Sequence, residues 1–191
     1  MKNIYFDLET TGVKFWKNGI HQISMIVEID GLVKETCNWK VKPFKDAVVE
    51  TEALAVGGLV PADLLTDTYK PMAEVYREMI SILAKYVDKF NSKDKFFLIG
   101  YNNASFDNAF LRAWFVQNGD NYFGSWFWAN PIDVYVMASY LTMDVRAGMI
   151  DGKLMTMAKW FEISIDESKL HDALYDVTIT RELFMKVKLK R

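Results

Sequence analysis

The sequence predicts an α/β fold, a mixed sheet flanked by helices. Three observations lead there. The first forty residues read as strands joined by a hairpin, and the second half reads as helical segments separated by brief apolar runs. The chain has 191 residues that are 51% hydrophobic, enough for one buried core, with no repeat, linker or low-complexity tract. Positions 1–191 are therefore expected to form a single domain.

The elements follow in order. Asn3 to Leu8 is a short apolar strand that runs into the turn-like Thr10-Thr11-Gly12. Ile20 to Ile29 is a second strand. Asp30-Gly31 is a hairpin dipeptide, so Leu32 to Val41 is expected to return alongside it until Pro43. Pro71 to Phe90 places Met72, Val75, Met79, Ile82, Leu83 and Val87 near helical spacing, and proline suits a helix start. Phe96 to Ile99 is a brief strand stopped by Gly100, and Phe106 to Val116 is helical. Pro131 to Val134 is a last short strand leading into a helix; Lys153 to Phe161 and Asp172 to Lys188 complete the helices.

Composition narrows the function classes. The net charge of −2 disfavours a protein that coats nucleic acid by charge, but not one that grips a few terminal nucleotides. Cys37 is the single cysteine, so no intramolecular disulfide forms, and it reads as an inert strand residue. One cysteine and two histidines, His21 and His171, cannot assemble the usual Cys/His zinc sites. The opening carries no secretory pattern and no apolar run approaches membrane-spanning length. A soluble, cytoplasmic protein without membrane contact is expected.

The chemistry is concentrated in three segments. In Asp7-Leu8-Glu9 the strand alternation sends both acids to one face and Leu8 to the other. Two carboxylates there repel each other unless a cation lies between them. The second segment, Tyr101 to Asp107, follows a strand and opens a helix. The third, His171-Asp172-Ala173-Leu174-Tyr175-Asp176, begins the last helix; Asp172 suits the cap, leaving Asp176 one turn further on the same face. Together they supply four acids and a histidine. Hard divalent cations take oxygen ligands, a metal pair serves phosphoryl transfer, and a near-neutral histidine can accept a proton from water.

Phe6-Asp7-Leu8-Glu9-Thr10-Thr11-Gly12, Asn103-Ala104-Ser105-Phe106-Asp107 and His171 to Asp176 resemble, in order, the three motifs of the DEDDh 3′-to-5′ exonucleases. That family includes proofreading subunits, RNase T and oligoribonuclease. The resemblance implies an RNase H-like, five-stranded mixed sheet. It implies hydrolysis of terminal phosphodiesters of single-stranded DNA or RNA, with release of nucleoside 5′-monophosphates. Asp7, Glu9, Asp107 and Asp176 then match the ligands of two divalent cations, Mg²⁺ or Mn²⁺, and His171 matches the general base. Thr10 and Thr11 match positions lining the terminal-nucleotide pocket, and Asp133 an acidic position read here as structural. Val56-Gly57-Gly58-Leu59-Val60 replaces the His-Gly-Ile-Thr-like stretch of many relatives.

Several other features were weighed. His21 reads as a satisfied or exposed strand residue. Tyr122, Phe123, Trp126, Phe127 and Trp128 form either core, a subunit contact or a base-stacking platform. Arg112, Lys14, Lys17 and the basic end from Lys186 to Arg191 are candidate phosphate contacts or ordinary solvated cations. Single-stranded 3′ ends are the expected partner and a homodimer is compatible; no tail for polymerase attachment is expected. The alternative function is an inactive nucleic-acid-binding module of the same fold, against which all five catalytic positions are filled. A histidine-rich HD-type phosphohydrolase fails because only two histidines exist.

Overall fold

A computed structural model describes residues 1–166, 169 and 172–189. Five strands form one sheet: β1 (Lys2–Thr10), β2 (Ile20–Ile29), β3 (Leu32–Lys40), β4 (Phe97–Gly100) and β5 (Ile132–Asp133). Their order is β3-β2-β1-β4-β5. The first three pair antiparallel, whereas β4 lies parallel to β1 and β5 parallel to β4. Asp30 and Gly31 join β2 to β3 with φ of 51° and 83°, the double positive φ that a tight hairpin requires and an aspartate-glycine pair tolerates. The mixed five-stranded sheet is the one expected.

Strand alternation divides the core. Ile4, Phe6, Leu8, Ile23, Met25 and Leu98 face α2 (Met72–Tyr86) and α3 (Asp107–Gln117), meeting Val75, Met79, Leu83, Phe110 and Trp114. Tyr5, Ile26 and Ile99 face α5 (Val134–Leu141), α6 (Leu154–Trp160) and α7 (Ala173–Lys188). Pro71 stands at the N-cap of α2, as read from the sequence. The helix stops at Tyr86, short of Phe90, where Val87 turns extended (φ −126°, ψ 126°) and is buried. The Lys2 ammonium closes this end by donating to the Tyr86 carbonyl and pairing with Asp94.

Four short elements have no counterpart in the sequence reading: α1 (Thr51–Val56), α4 (Phe123–Trp126) and 3₁₀ turns at Pro61–Leu65 and Met143–Gly148. Each is too brief for a helical period to register. The aromatic segment is core: Phe123, Trp126 and Phe127 are buried, and Phe123 lies 4.7 Å from Phe127 and 5.1 Å from Phe115, centroid to centroid. Tyr122 alone of that run is largely exposed. Cys37 is half-buried, and burial pushes its thiol up to about 11, so it stays protonated and unreactive. His21 departs from expectation. It is buried, its Nδ1 has no hydrogen-bond partner among the described residues, and desolvation with nearby Lys40 lowers its pKa to about 4.

A buried ion pair fixes α7 to the sheet. Glu28 on β2 is 3% exposed and accepts from Arg181 Nε at 2.8 Å, with Nη2 at 2.7 Å. Asn3 Nδ2 at 3.1 Å and the Tyr5 hydroxyl at 3.3 Å complete its shell. Removing one partner of such a pair strands a buried charge. Arg181→Met is expected to destabilise the fold by roughly 3–5 kcal/mol in urea unfolding, and Glu28→Leu with Arg181→Met by much less than the sum of the single changes. An additive double variant would show that the two side chains act independently.

Candidate active site

The parallel strands β1, β4 and β5 end on the same side of the sheet, where open α/β sheets gather their ligands. β4 pairs with β1 only from Asn3 to Tyr5, so on that edge β1 runs on unpaired through Asp7 and Glu9. The two acids share the α7 face of the sheet, opposite Ser24 and Gln22 of β2, while Leu8 is buried in the other layer. The unpaired edge is closed by Asp107, the first residue of α3. The backbone amides of Leu8 and of Asp107 itself favour its charged form, which places the second segment against the first.

Asp176 completes the group from α7. Asp172 is the N-cap, its side chain accepting from the Tyr175 amide at 2.9 Å, in agreement with the sequence. Asp176 sits in the first turn that this cap fixes. His171 lies outside the described residues.

The four carboxylates act on one another. Burial, then the charges of Asp107, Glu9 and Asp176, hold Asp7 well above the usual carboxylate range. Burial and the charge of Asp176 push Glu9 up to about 7. Burial, with Glu9 and Asp133, pushes Asp107 up to about 7 against the two amides that favour its charge. Four acids from three separated segments thus share one poorly hydrated region. Among the described residues no three His, Cys, Asp or Glu side chains are arranged to hold a metal ion as they stand. The donor set nevertheless fits a hard divalent cation: every candidate ligand is an oxygen, and the repulsion that raises these pKa values is what a cation relieves.

The neighbouring loops are held by hydrogen bonds. Thr11 is fully buried; its hydroxyl donates to the Val48 carbonyl at 2.8 Å and accepts from the Gly19 amide at 2.9 Å. Loop closure thus uses both its donor and its acceptor. Thr10 is half-buried beside Glu9 and donates to the Gly12 carbonyl at 2.8 Å. Gly12 is obligatory, since a Cβ there would come within 2.4 Å of Asn18 Nδ2. Asp133 takes the structural part read from the sequence, accepting from the amides of Asn102, Ala104 and Tyr135 at 2.9, 3.3 and 2.9 Å.

Asn103 belongs to the second acidic segment. It is fully buried against Gly100, where a Cβ would approach its own Cβ to 2.7 Å, and neither amide atom has a partner among the described residues. Its place four residues before Asp107 was the available signal. The 101–107 segment separates two grooves. One of about 470 Å³ is lined by Tyr101, Asn102, Tyr135 and Lys153; one of about 530 Å³ begins at Ala104 and follows α3.

Comparison with known proteins agrees with this geometry. A family model described as Exonuclease matches residues 4–184. Ribonuclease T of Shewanella frigidimarina is 26% identical over 190 residues, covering 95% of this chain and 79% of that protein. Ribonuclease T of Buchnera aphidicola from Schizaphis graminum is 26% identical over 202 residues, covering 96% and 81%. Among solved structures, a zinc-bound complex of E. coli exonuclease I with single-stranded DNA superposes with a TM-score of 0.77 at 21% identity. It covers all of this chain, which spans only 41% of the exonuclease I chain, and at that identity the likeness is one of fold. With the matched region spanning all three acidic segments, this chain belongs to the Exonuclease family and is a hydrolytic nuclease, of a family whose members generally use divalent metal ions.

Proposed function

We propose that the chain removes nucleotides from the 3′ end of single-stranded nucleic acid by a two-cation mechanism, releasing nucleoside 5′-monophosphates. The observation that supports this reading is the convergence of Asp7, Glu9, Asp107 and Asp176: Asp7 lies in the field of the other three, Glu9 in that of Asp176, and Asp107 in that of Glu9. Ribonuclease T and the exonuclease I–oligonucleotide complexes, as similar proteins, support the substrate class.

Asp7, Glu9, Asp107 and Asp176 would hold the cations, Mg²⁺ or Mn²⁺. Cations bound there polarise the phosphodiester and make the attacking water more acidic. His171, immediately before the Asp172 cap, takes the proton from that water. The Leu8 amide keeps the Asp107 carboxylate aimed back at β1. Thr10, beside Glu9, borders the place of the terminal nucleotide, and the buried Thr11 shapes it by fixing the loop.

The test is a digestion time course on 5′-labelled single-stranded DNA and RNA of equal sequence, with Mg²⁺ or Mn²⁺ and an EDTA control. A metal-dependent ladder shortening from the 3′ end is expected; no cleavage by the folded, metal-supplied protein would leave a binding module instead. Asp7→Ala and Asp176→Ala should each abolish turnover, and near wild-type rates in either would remove the proposed ligand set. His171→Ala is expected to lower turnover by about 10²–10⁴-fold while divalent-ion binding, read by calorimetry, is mostly kept. An unchanged rate and pH profile would exclude His171 as the base.

Stability should also depend on pH. Glu9 and Asp107 titrate near 7 in the fold and near 4 when unfolded, so the native state binds extra protons between those values. In EDTA the melting temperature is therefore expected to fall as pH rises from about 4 to about 7 and then level off. Mg²⁺ should restore it at pH 8 in the wild type and not in Asp7→Ala. A flat profile with no response to Mg²⁺ would show that the carboxylates are not crowded.

A further inference from the structure

The larger groove beside the acidic cluster has a construction that the hydrolytic residues do not explain. Its outer wall is Phe15 and Trp16, in the loop after β1. Trp16 is 67% exposed and Phe15 39%, and the rings meet edge to face at 5.0 Å and 89°. Placing an indole in water forgoes the burial that large aromatics normally obtain. Nor is the loop loose. The Lys14 amide donates to Asn18 Oδ1 at 2.8 Å, and the Asn18 amide to the Lys14 carbonyl at 2.7 Å. Asn18 Nδ2 anchors the turn to the Val48 carbonyl at 2.9 Å. Phe15 rests edge-on against Phe110 of the core at 6.5 Å. The aromatic pair is held out on a braced support.

The opposite wall is the outer face of α3. Ala109, Arg112, Ala113 and Val116 recur at helical spacing, so small side chains leave a flat apolar slot of about 530 Å³. Among the described residues no acid lines it and Arg112 is the charged group in the lining, its guanidinium lying over the Phe123 ring at 4.4 Å. The slot begins near the acidic cluster, because Ala104 and Asn108 in its lining lie on either side of Asp107 in the chain. From there it follows a helix of 11 residues, about 16 Å at 1.5 Å per residue. That is long enough for more than one base.

We propose that this groove is an upstream subsite that takes the bases on the 5′ side of the terminal nucleotide. They stack on Trp16 over the alanine floor, with Arg112 beside the phosphate backbone. The proposal rests on the reading of the chain as a single-strand exonuclease. A polyanion with exposed π faces is the occupant that fits both an exposed indole and a wall with a cation and no acid.

The experiment varies substrate length. Hydrolysis of a dinucleotide and of a 5′-labelled decamer is measured in Mg²⁺, alongside decamer binding by anisotropy in EDTA, for the wild type, Trp16→Ala and Ala113→Trp. The second variant fills the slot from the helix side. Both changes are on the surface, and unchanged melting temperatures confirm folding. The decamer-to-dinucleotide ratio of kcat/KM is expected to fall about 5- to 150-fold in each variant, the factor that corresponds to roughly 1–3 kcal/mol for one base–aromatic stack. Decamer affinity should fall in parallel. An unaltered ratio with unaltered binding would overturn the subsite. So would a change in sedimentation of the free protein in Trp16→Ala, which would assign the groove to a second copy. If the wild type hydrolyses neither substrate, the exonuclease reading fails while the binding arm still decides the groove.

Discussion

Four carboxylates that repel one another, in a place where water screens them poorly, are the constraint around which the rest of this structure is arranged. Like charges in a low-dielectric setting cannot all ionise without raising each other's pKa, and Asp7, Glu9 and Asp107 bear that signature. The arrangement opposes folding, so it persists only because the frame around it is over-determined. Two apolar layers sandwich the sheet, and each acid is delivered by an element seated in one of them.

The frame works through unequal strand lengths. Because β4 pairs with β1 only as far as Tyr5 while β1 continues to Thr10, the β4-side edge of β1 is left open beside Leu8, whose amide favours the charge of Asp107. On the other face, the Glu28–Arg181 pair sits five residues along α7 from Asp176, so the helix that carries the fourth acid is fixed in rotation as well as in depth. Asp133 ties the 101–104 segment to the start of α5 through three amides. None of these groups needs to meet a substrate to matter, since each restricts where a carboxylate can point.

Much of this was legible in the sequence, for identifiable reasons. Strand alternation put Asp7 and Glu9 together, aspartate-glycine chemistry made the hairpin, and the spacing of Asp172 and Asp176 separated the cap from the candidate ligand. These are local rules, and they hold where the governing interactions are local. The bracing of Thr11 was not legible, because its partners, Val48 and Gly19, come from a loop packing that no spacing reveals. His21 is buried, with a nitrogen that has no hydrogen-bond partner among the described residues, for the same reason: its surroundings are tertiary. The run from Tyr122 to Trp128 was ambiguous because an aromatic cluster has one composition whether it faces Phe115 or solvent; only the fold shows that it faces Phe115.

The same ambiguity ran the other way at Phe15 and Trp16, which drew no notice in the sequence and stand in the open in the fold. Their position bears on how an acidic protein with a net charge of −2 can hold a polyanion at all. Long-range attraction is weak for such a surface, and clustered carboxylates repel phosphate unless cations neutralise them. Affinity must then come from short-range terms: cation-bridged contacts at the scissile phosphate, and stacking surfaces next to it. On the proposed reading, a braced aromatic pair near Asp107 would supply the second of these without adding charge. The division of work would leave the acidic cluster free to gather cations while an apolar neighbour takes the bases.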